Sequence, residues 1–388
     1  MKNPLKNLFI LMAILFFSFR ALATEVKEWN FLVFLNGVNS LDSFSDLNIN
    51  QMEQLGSNDK INIIVQWGSL SRSGVQRLLI QKDNKPLEVT SPVIQNMGAV
   101  DMGDWHQLVD FSEWAQSQYP AKHTFIVVWN HGNGWHRPEF VTKDISYDDR
   151  TGHSIKTEEL GQAMQQIALQ LGHKVDIYAS DACLMGMIEV AAEMKDSVNY
   201  FIGSQDLEPG AGWPYNTFLK QWQAQPKASA REISQILSRE YKTAYSGGIY
   251  GHGSATMSVF DLNYIDDYHL AVKNFTTEMM QMSSSKKTAV LEALQSSKFF
   301  DKTDYRDMMD FTHKMMASAL IKKSGENLKT AHNKLVIAND QNQDQVTYGL
   351  SIWLPSDQSE FDSYADRYEN LIFNKKTNWA GFLKQLYY

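Results

Sequence analysis

The chain has 388 residues, enough for one large or two ordinary domains. Hydrophobic residues make up 43% of it and charged residues 21%, a globular composition that excludes a disordered, collagenous or coiled-coil chain. The formal charge of −8, from 36 Lys+Arg against 44 Asp+Glu, offers no basic footprint for nucleic acid.

The N-terminus reads as an address. Lys2 and Lys6 precede an apolar run over 8–19, broken only by Ser18, and Ala21-Leu22-Ala23 supplies a small-x-small cleavage site. Residues 1–23 are thus expected to be a signal peptide. A spanning helix needs roughly 20 apolar residues, so the run is too short for one. The expectation is an exported chain, periplasmic or secreted, with no membrane span after signal removal. Exported proteins usually spend their cysteines on disulfides. This one has a single Cys, at position 183, so it is either a buried small hydrophobe or a free thiol with a task.

Short β-branched or aromatic runs predict strands over 31–35, 61–66, 75–80, 124–129, 175–180, 200–203, 255–260 and 350–354. Amphipathic stretches predict helices over 104–118, 157–171, 184–196 and 230–246. Strands that are apolar throughout suit a sheet covered on both faces. Their alternation with helices argues an α/β fold with a mostly parallel sheet flanked by helices. The pattern turns mainly helical after Asp261, so the expected division is a catalytic domain over 24–260 and a helical C-terminal subdomain over 261–388 packed on the core.

Sites in open α/β sheets form beyond the carboxyl ends of the strands. The strand over 124–129 runs into Asn130-His131-Gly132-Asn133-Gly134-Trp135, and that over 175–180 into Asp181-Ala182-Cys183-Leu184-Met185-Gly186. A histidine and the lone thiol therefore leave the sheet at one end. Glycines around His131 allow close backbone approach. The expected helix from residue 184 places Cys183 at a helix N-terminus, which favours a thiolate. Thiolate chemistry needs a base, and imidazole serves near neutral pH. His131 precedes Cys183 by about fifty residues, the order and distance of caspase-type enzymes rather than papain-type ones.

Several segments carry a family resemblance. They are Tyr119-Pro120-Ala121-Lys122-His123 leading into the His131 motif, the Cys183 motif with Glu189 behind it, and Glu208-Pro209-Gly210-Ala211-Gly212-Trp213-Pro214-Tyr215. Gly349-Leu350-Ser351-Ile352-Trp353-Leu354-Pro355 and Trp379-Ala380-Gly381-Phe382-Leu383 complete the set. Across most of residues 29–386 the chain resembles the clostripain family of cysteine peptidases. One departure is Phe34-Leu35-Asn36-Gly37-Val38-Asn39-Ser40-Leu41, which is usually more acidic in that family.

The resemblance implies a caspase-like fold of the caspase and gingipain type and a secreted endopeptidase acting on peptide or protein substrates. Cys183 would be the nucleophile, His131 the acid/base, and the backbone N–H groups of Gly132 and Cys183 the oxyanion hole. Asp181 would line the pocket for a basic P1 side chain, Arg or Lys, with Asp206 and Glu208 as further candidates and Trp213 as a wall. The competing reading of Asp181 is a helix cap. Self-activation after a basic residue between His131 and Cys183 is also implied. Pro138 disfavours Arg137, leaving Lys143, the preferred position, and Arg150. Some members use calcium, and Asp148-Asp149 is an acidic spot for it. His131, His136 and His153 match no standard metal spacing, so no metal is assigned to them. The reading kept in reserve is a catalytically silent caspase-like module that binds peptides or surface polymers.

Overall fold

Strands with apolar residues on both faces need cover on both sides, and the computed structural model supplies it. It describes residues 26–136, 144–283, 286–318, 321–343 and 346–388, so the expected signal segment lies outside them. In chain order the strands are β1 (Lys27–Gly37), β2 (Ile61–Ser69), β3 (Val75–Leu79), β4 (Val93–Gly98), β5 (Ala121–Trp129), β6 (Val175–Asp181) and β7 (Val198–Gly203). They continue with β8 (Ser246–Gly248), β9 (Gly251–His252), β10 (Thr256–Asp261), β11 (Tyr305–Asp307), β12 (Val336–Gln341) and β13 (Ser351–Trp353).

One sheet runs in the order β12-β10-β7-β6-β5-β1-β2-β3-β4. Its centre, β2-β1-β5-β6-β7, is parallel. Both flanks are antiparallel, β3 and β4 on one side and β10 and β12 on the other. Side chains alternate across β1: Phe31, Val33 and Leu35 enter one apolar core, Leu32 and Phe34 the other. The first core is closed by the helices Asp42–Glu53, Tyr215–Gln223 and Ala230–Ala244. The second is closed by Trp105–Gln118, Thr157–Leu171 and the helices after Asp261. Local signals fix these helices. The Asp104 carboxylate accepts the His106 N–H at 3.0 Å, and Ser229 with Glu232 forms a reciprocal capping box.

The α/β architecture is therefore as expected, with corrections in detail. The helix expected over 184–196 spans only Ile188–Glu193. The strand expected over 350–354 is β13, which pairs with β11 in a separate small sheet. Strands β4 and β12 escape a hydrophobicity reading because β4 is largely exposed and β12 is half-buried throughout. The helix Asp42–Glu53 escapes it because its buried face is mostly polar: Ser45, Asn48, Asn50, Gln51 and Glu53 flank Ile49 and Met52. The chain beyond Asp261 is mainly helical and shares the second core: Val272, Phe275, Trp353 and Trp379 join the same cluster as Leu108 and Ile167. Its strand β12 returns to the main sheet beside β10. Among the described residues, no helix is long and apolar enough to cross a membrane.

Candidate active site

Parallel neighbours end together. Trp129 at the end of β5 is paired in register with Asp181 at the end of β6. His131 and Cys183 each follow two residues later, so adjacent strands deliver them to the same edge. The turns that carry them touch: a Cβ added to Gly132 would lie 2.4 Å from the Cys183 carbonyl oxygen. No side chain fits there, so only glycine lets the two turns meet. His131, Asp181, Cys183, Leu207, Glu208 and Gly212 line one cleft of about 270 Å³ that opens to solvent.

Buried asparagines hold the strand ends beneath this cleft. The Asn130 amide donates to the Asn36 carbonyl at 2.6 Å, and its own oxygen accepts the Tyr147 N–H at 3.0 Å. The Asn36 amide donates to the carbonyls of Ser146 and Tyr147, both at 3.1 Å. These bonds fasten β1, β5 and the segment after residue 143 to one another. Composition gives no sign of them, because asparagine in a strand ordinarily reads as a strand end. The departure in the first strand also finds a place. Ser40 Oγ lies 2.9 Å from His131 Nε2.

The Cys183 turn differs from expectation. Leu184 adopts φ +63°, a left-handed conformation uncommon for a side chain of its bulk. The helix starts only at Ile188, so Cys183 does not sit at its N-terminus. Burial raises the Cys183 thiol above its ordinary value, and the Asp181 and Asp301 carboxylates add to the rise. The Glu208 N–H donates to Sγ at 3.2 Å and acts in the opposite sense. A thiol held up in this way depends on a neighbouring base for its thiolate.

Asp181 is buried at the back of the cleft. It accepts the Tyr215 hydroxyl at 2.8 Å and the Trp213 N–H at 3.4 Å. These partners lie on the segment after β7, so Asp181 does not cap the helix that follows Cys183. The neighbouring Asp181 raises the affinity of the Glu208 carboxyl for a proton, whereas Glu208 acts on Asp181 in the opposite sense. Burial is the larger cause: it pushes Asp181 up to about 7, and Glu208 well above its usual range. Both Glu208 carboxyl oxygens are buried without a hydrogen-bond partner.

The other expected residues fall elsewhere. Asp206 faces away from the cleft; its carboxylate accepts the Leu207 N–H and the Gln343 side-chain amide, each at 2.9 Å. Trp213 is fully buried and backs the pocket through its backbone bond to Asp181 rather than walling it. Arg150 spends its guanidinium on the carbonyls of Ser69 at 2.6 Å and Arg72 at 3.2 Å. Lys143 lies outside the described residues. The Asp148–Asp149 pair does not fit a calcium site, because Asp148 accepts the N–H groups of Met102 and Arg150 at 3.1 and 2.8 Å. Among the described residues, no three His, Cys, Asp or Glu side chains gather as a metal set. His136 instead pairs with the buried Asp304 at 2.6 Å.

With this geometry in place, comparison with known proteins is informative. The sequence profile of the clostripain family matches residues 33–386. The chain belongs to the clostripain family. It is 22% identical over 321 residues to clostripain of Hathewaya histolytica, an alignment that covers 68% of this chain and 59% of that protein. The chain thus spans about three fifths of that relative's length. Two solved structures are similar in fold. A secreted C11 cysteine protease from Bacteroides thetaiotaomicron, bound to an irreversible peptide inhibitor, aligns with a TM-score of 0.68 at 21% identity and covers 91% of this chain and 99% of its own. An inactive zymogen C11 protease from Parabacteroides distasonis aligns with a TM-score of 0.69 at 19% identity, covering 91% and 98%. The caspase-like α/β fold expected from the motifs is the fold observed. The family is one of cysteine peptidases.

Proposed function

We propose that the protein is an exported cysteine endopeptidase that cleaves after Arg or Lys. The observation that carries this reading is the single cleft. It joins His131, the lone Cys183 and a buried carboxyl pair, Asp181 with Glu208. His131 takes the thiol proton, and Cys183 Sγ attacks the scissile carbonyl carbon. The backbone N–H groups of Gly132 and Cys183 receive the developing oxyanion. Collapse of the tetrahedral intermediate breaks the C–N bond, and His131 returns its proton to the leaving amine. Water then attacks the thioester with His131 again as base, freeing the carboxylate and restoring the thiol.

The P1 side chain reaches the acidic back of the pocket. An arriving guanidinium or ammonium favours the ionised form of both carboxyls, which release protons to solvent and close around the cation. Self-cleavage at Lys143 fits this preference, because the cut would fall after a basic residue. The N-terminal motif supports export.

The test is hydrolysis of fluorogenic peptides with Arg, Lys, Asp or Asn at P1, by the wild-type chain and by Cys183→Ala. Turnover confined to Arg and Lys, and lost in the variant, is the expected result. Turnover only after Asp or Asn would overturn the acidic pocket. No turnover in any form, including deliberately nicked protein, would move the protein to the silent binding class.

A further inference from the structure

A clamp from the C-terminal third grips the loop that carries His131. The loop runs from His131 to His136, beyond β5, and the clamp is the turn at residues 302–305 that leads into β11. The Lys302 ammonium donates to the Asn133 carbonyl at 2.9 Å and to the His136 carbonyl at 2.6 Å. The Tyr305 hydroxyl lies 2.7 Å from the Asn133 carbonyl, 3.0 Å from the His136 carbonyl and 3.2 Å from the His136 nitrogen. Asp304 between them takes His136 Nε2 at 2.6 Å and the Trp353 indole N–H at 3.0 Å. The approach is close enough that a Cβ on Gly134 would sit 2.5 Å from the Tyr305 ring.

This arrangement costs more than simple packing requires. Lys302 is half-buried, and its ammonium is satisfied by backbone carbonyls, a fixed ring of acceptors that an apolar side chain could not order. Tyr305 is fully buried and sits in contact with the same two carbonyls. The grip begins two residues past His131, one past Gly132. A rigid loop there fixes both the imidazole and the N–H that faces the oxyanion. Small displacements matter at such positions, since an error of about 1 Å can cost on the order of 10²-fold in rate.

We infer that Lys302 and Tyr305 are positioning residues for catalysis: through the Asn133 and His136 carbonyls they hold the His131–Gly132 turn in register with Cys183. The inference rests on the His131–Cys183 reading of the site. It gives the C-terminal third a part in the chemistry rather than only in the core.

The test compares Lys302→Met, Lys302→Arg and Tyr305→Phe with wild type in the full chain. Lys302→Met keeps the stem and removes the donors; Tyr305→Phe removes only the hydroxyl. The expected result is a kcat per folded molecule lower by about tenfold or more in Lys302→Met, with KM within about twofold. Lys302→Arg restores donors and is expected to recover part of kcat, which filled volume alone would not do. Tyr305→Phe is expected to lower kcat in the same sense. Unchanged kcat in Lys302→Met, or a change in KM alone, would overturn the inference. A loss that follows only the unfolded fraction, read by circular dichroism, would also overturn it.

A second readout needs no substrate. Alkylation of Cys183 by iodoacetamide reports the thiolate that His131 supports, and it is expected to slow in Lys302→Met. A wild-type chain that cleaves no peptide would sink the peptidase reading while this alkylation rate still decided the clamp. An unchanged rate there would count against the clamp.

Discussion

Replacing Asp181 by Asn is the sharpest test of specificity. The side chains are nearly isosteric, and an Asn oxygen still accepts the Tyr215 hydroxyl and the Trp213 N–H that hold Asp181 now. What disappears is the carboxyl that ionises against a basic P1 side chain. A hydrogen bond to a charged partner contributes about 1.5–3 kcal/mol, which is roughly 10- to 150-fold in an equilibrium or rate constant. The expected outcome is a fall of that size in kcat/KM for Arg and Lys substrates, with a neutral-P1 substrate unchanged. Folding should not suffer, because burial already disfavours the ionised Asp181. Glu208 should take over part of the role, since losing its charged neighbour makes it easier to ionise. The double variant Asp181→Asn/Glu208→Gln should therefore lose more than Asp181→Asn alone. The assay is steady-state hydrolysis of matched peptides differing only at P1, with thermal unfolding run in parallel. An unchanged ratio of basic to neutral kcat/KM in the Asn variant would refute the pocket assignment.

Two further outcomes can be checked independently. N-terminal sequencing of active enzyme should reveal a new terminus at Asp144; full activity in an uncut chain, or a terminus at Thr151, would reject Lys143 as the cleavage position. Glu189, behind the Cys183 turn, is buried and pushed up to about 7, while one of its oxygens accepts both the Trp353 N–H and the Tyr368 hydroxyl. The folded state then binds more protons than the unfolded state between about pH 4.5 and 7, so this group's contribution to stability falls as pH rises through that window. Glu189→Gln keeps the acceptor and removes the titration. Its stability relative to wild type should rise by about 3 kcal/mol from pH 4.5 to pH 8, measured by urea unfolding. A pH-independent difference between the two proteins would contradict this account.

The sequence by itself determined the elements whose signal is local. The apolar runs of β1, β5 and β6 announce a doubly covered sheet, because a strand buried on both faces keeps polar residues only where they find partners. Glycine beside His131 and the lone Cys after a strand mark the edge where chemistry belongs. Local patterning failed where tertiary contact overrides it. The amphipathic run from residue 184 reads as helix, yet its first four residues form the Cys183 turn, held by Leu184 N–H to the Asp206 carbonyl at 3.2 Å and Gly186 N–H to the Ser204 carbonyl at 2.6 Å. Strand β12 offers six half-buried positions and becomes a strand only because β10 lies beside it. The sequence placed Asp206 and Glu208 on one short segment with equal claims on the pocket. The loop's path alone turned Glu208 onto Asp181 and sent Asp206 to Gln343. Lys302 and Tyr305 lie nearly 170 residues from the loop they grip, with |i−j| of 169 between Lys302 and Asn133. No periodicity or motif reports a contact over that separation. It exists only once the C-terminal third has folded back over the second core and brought β11 beside the His131 loop.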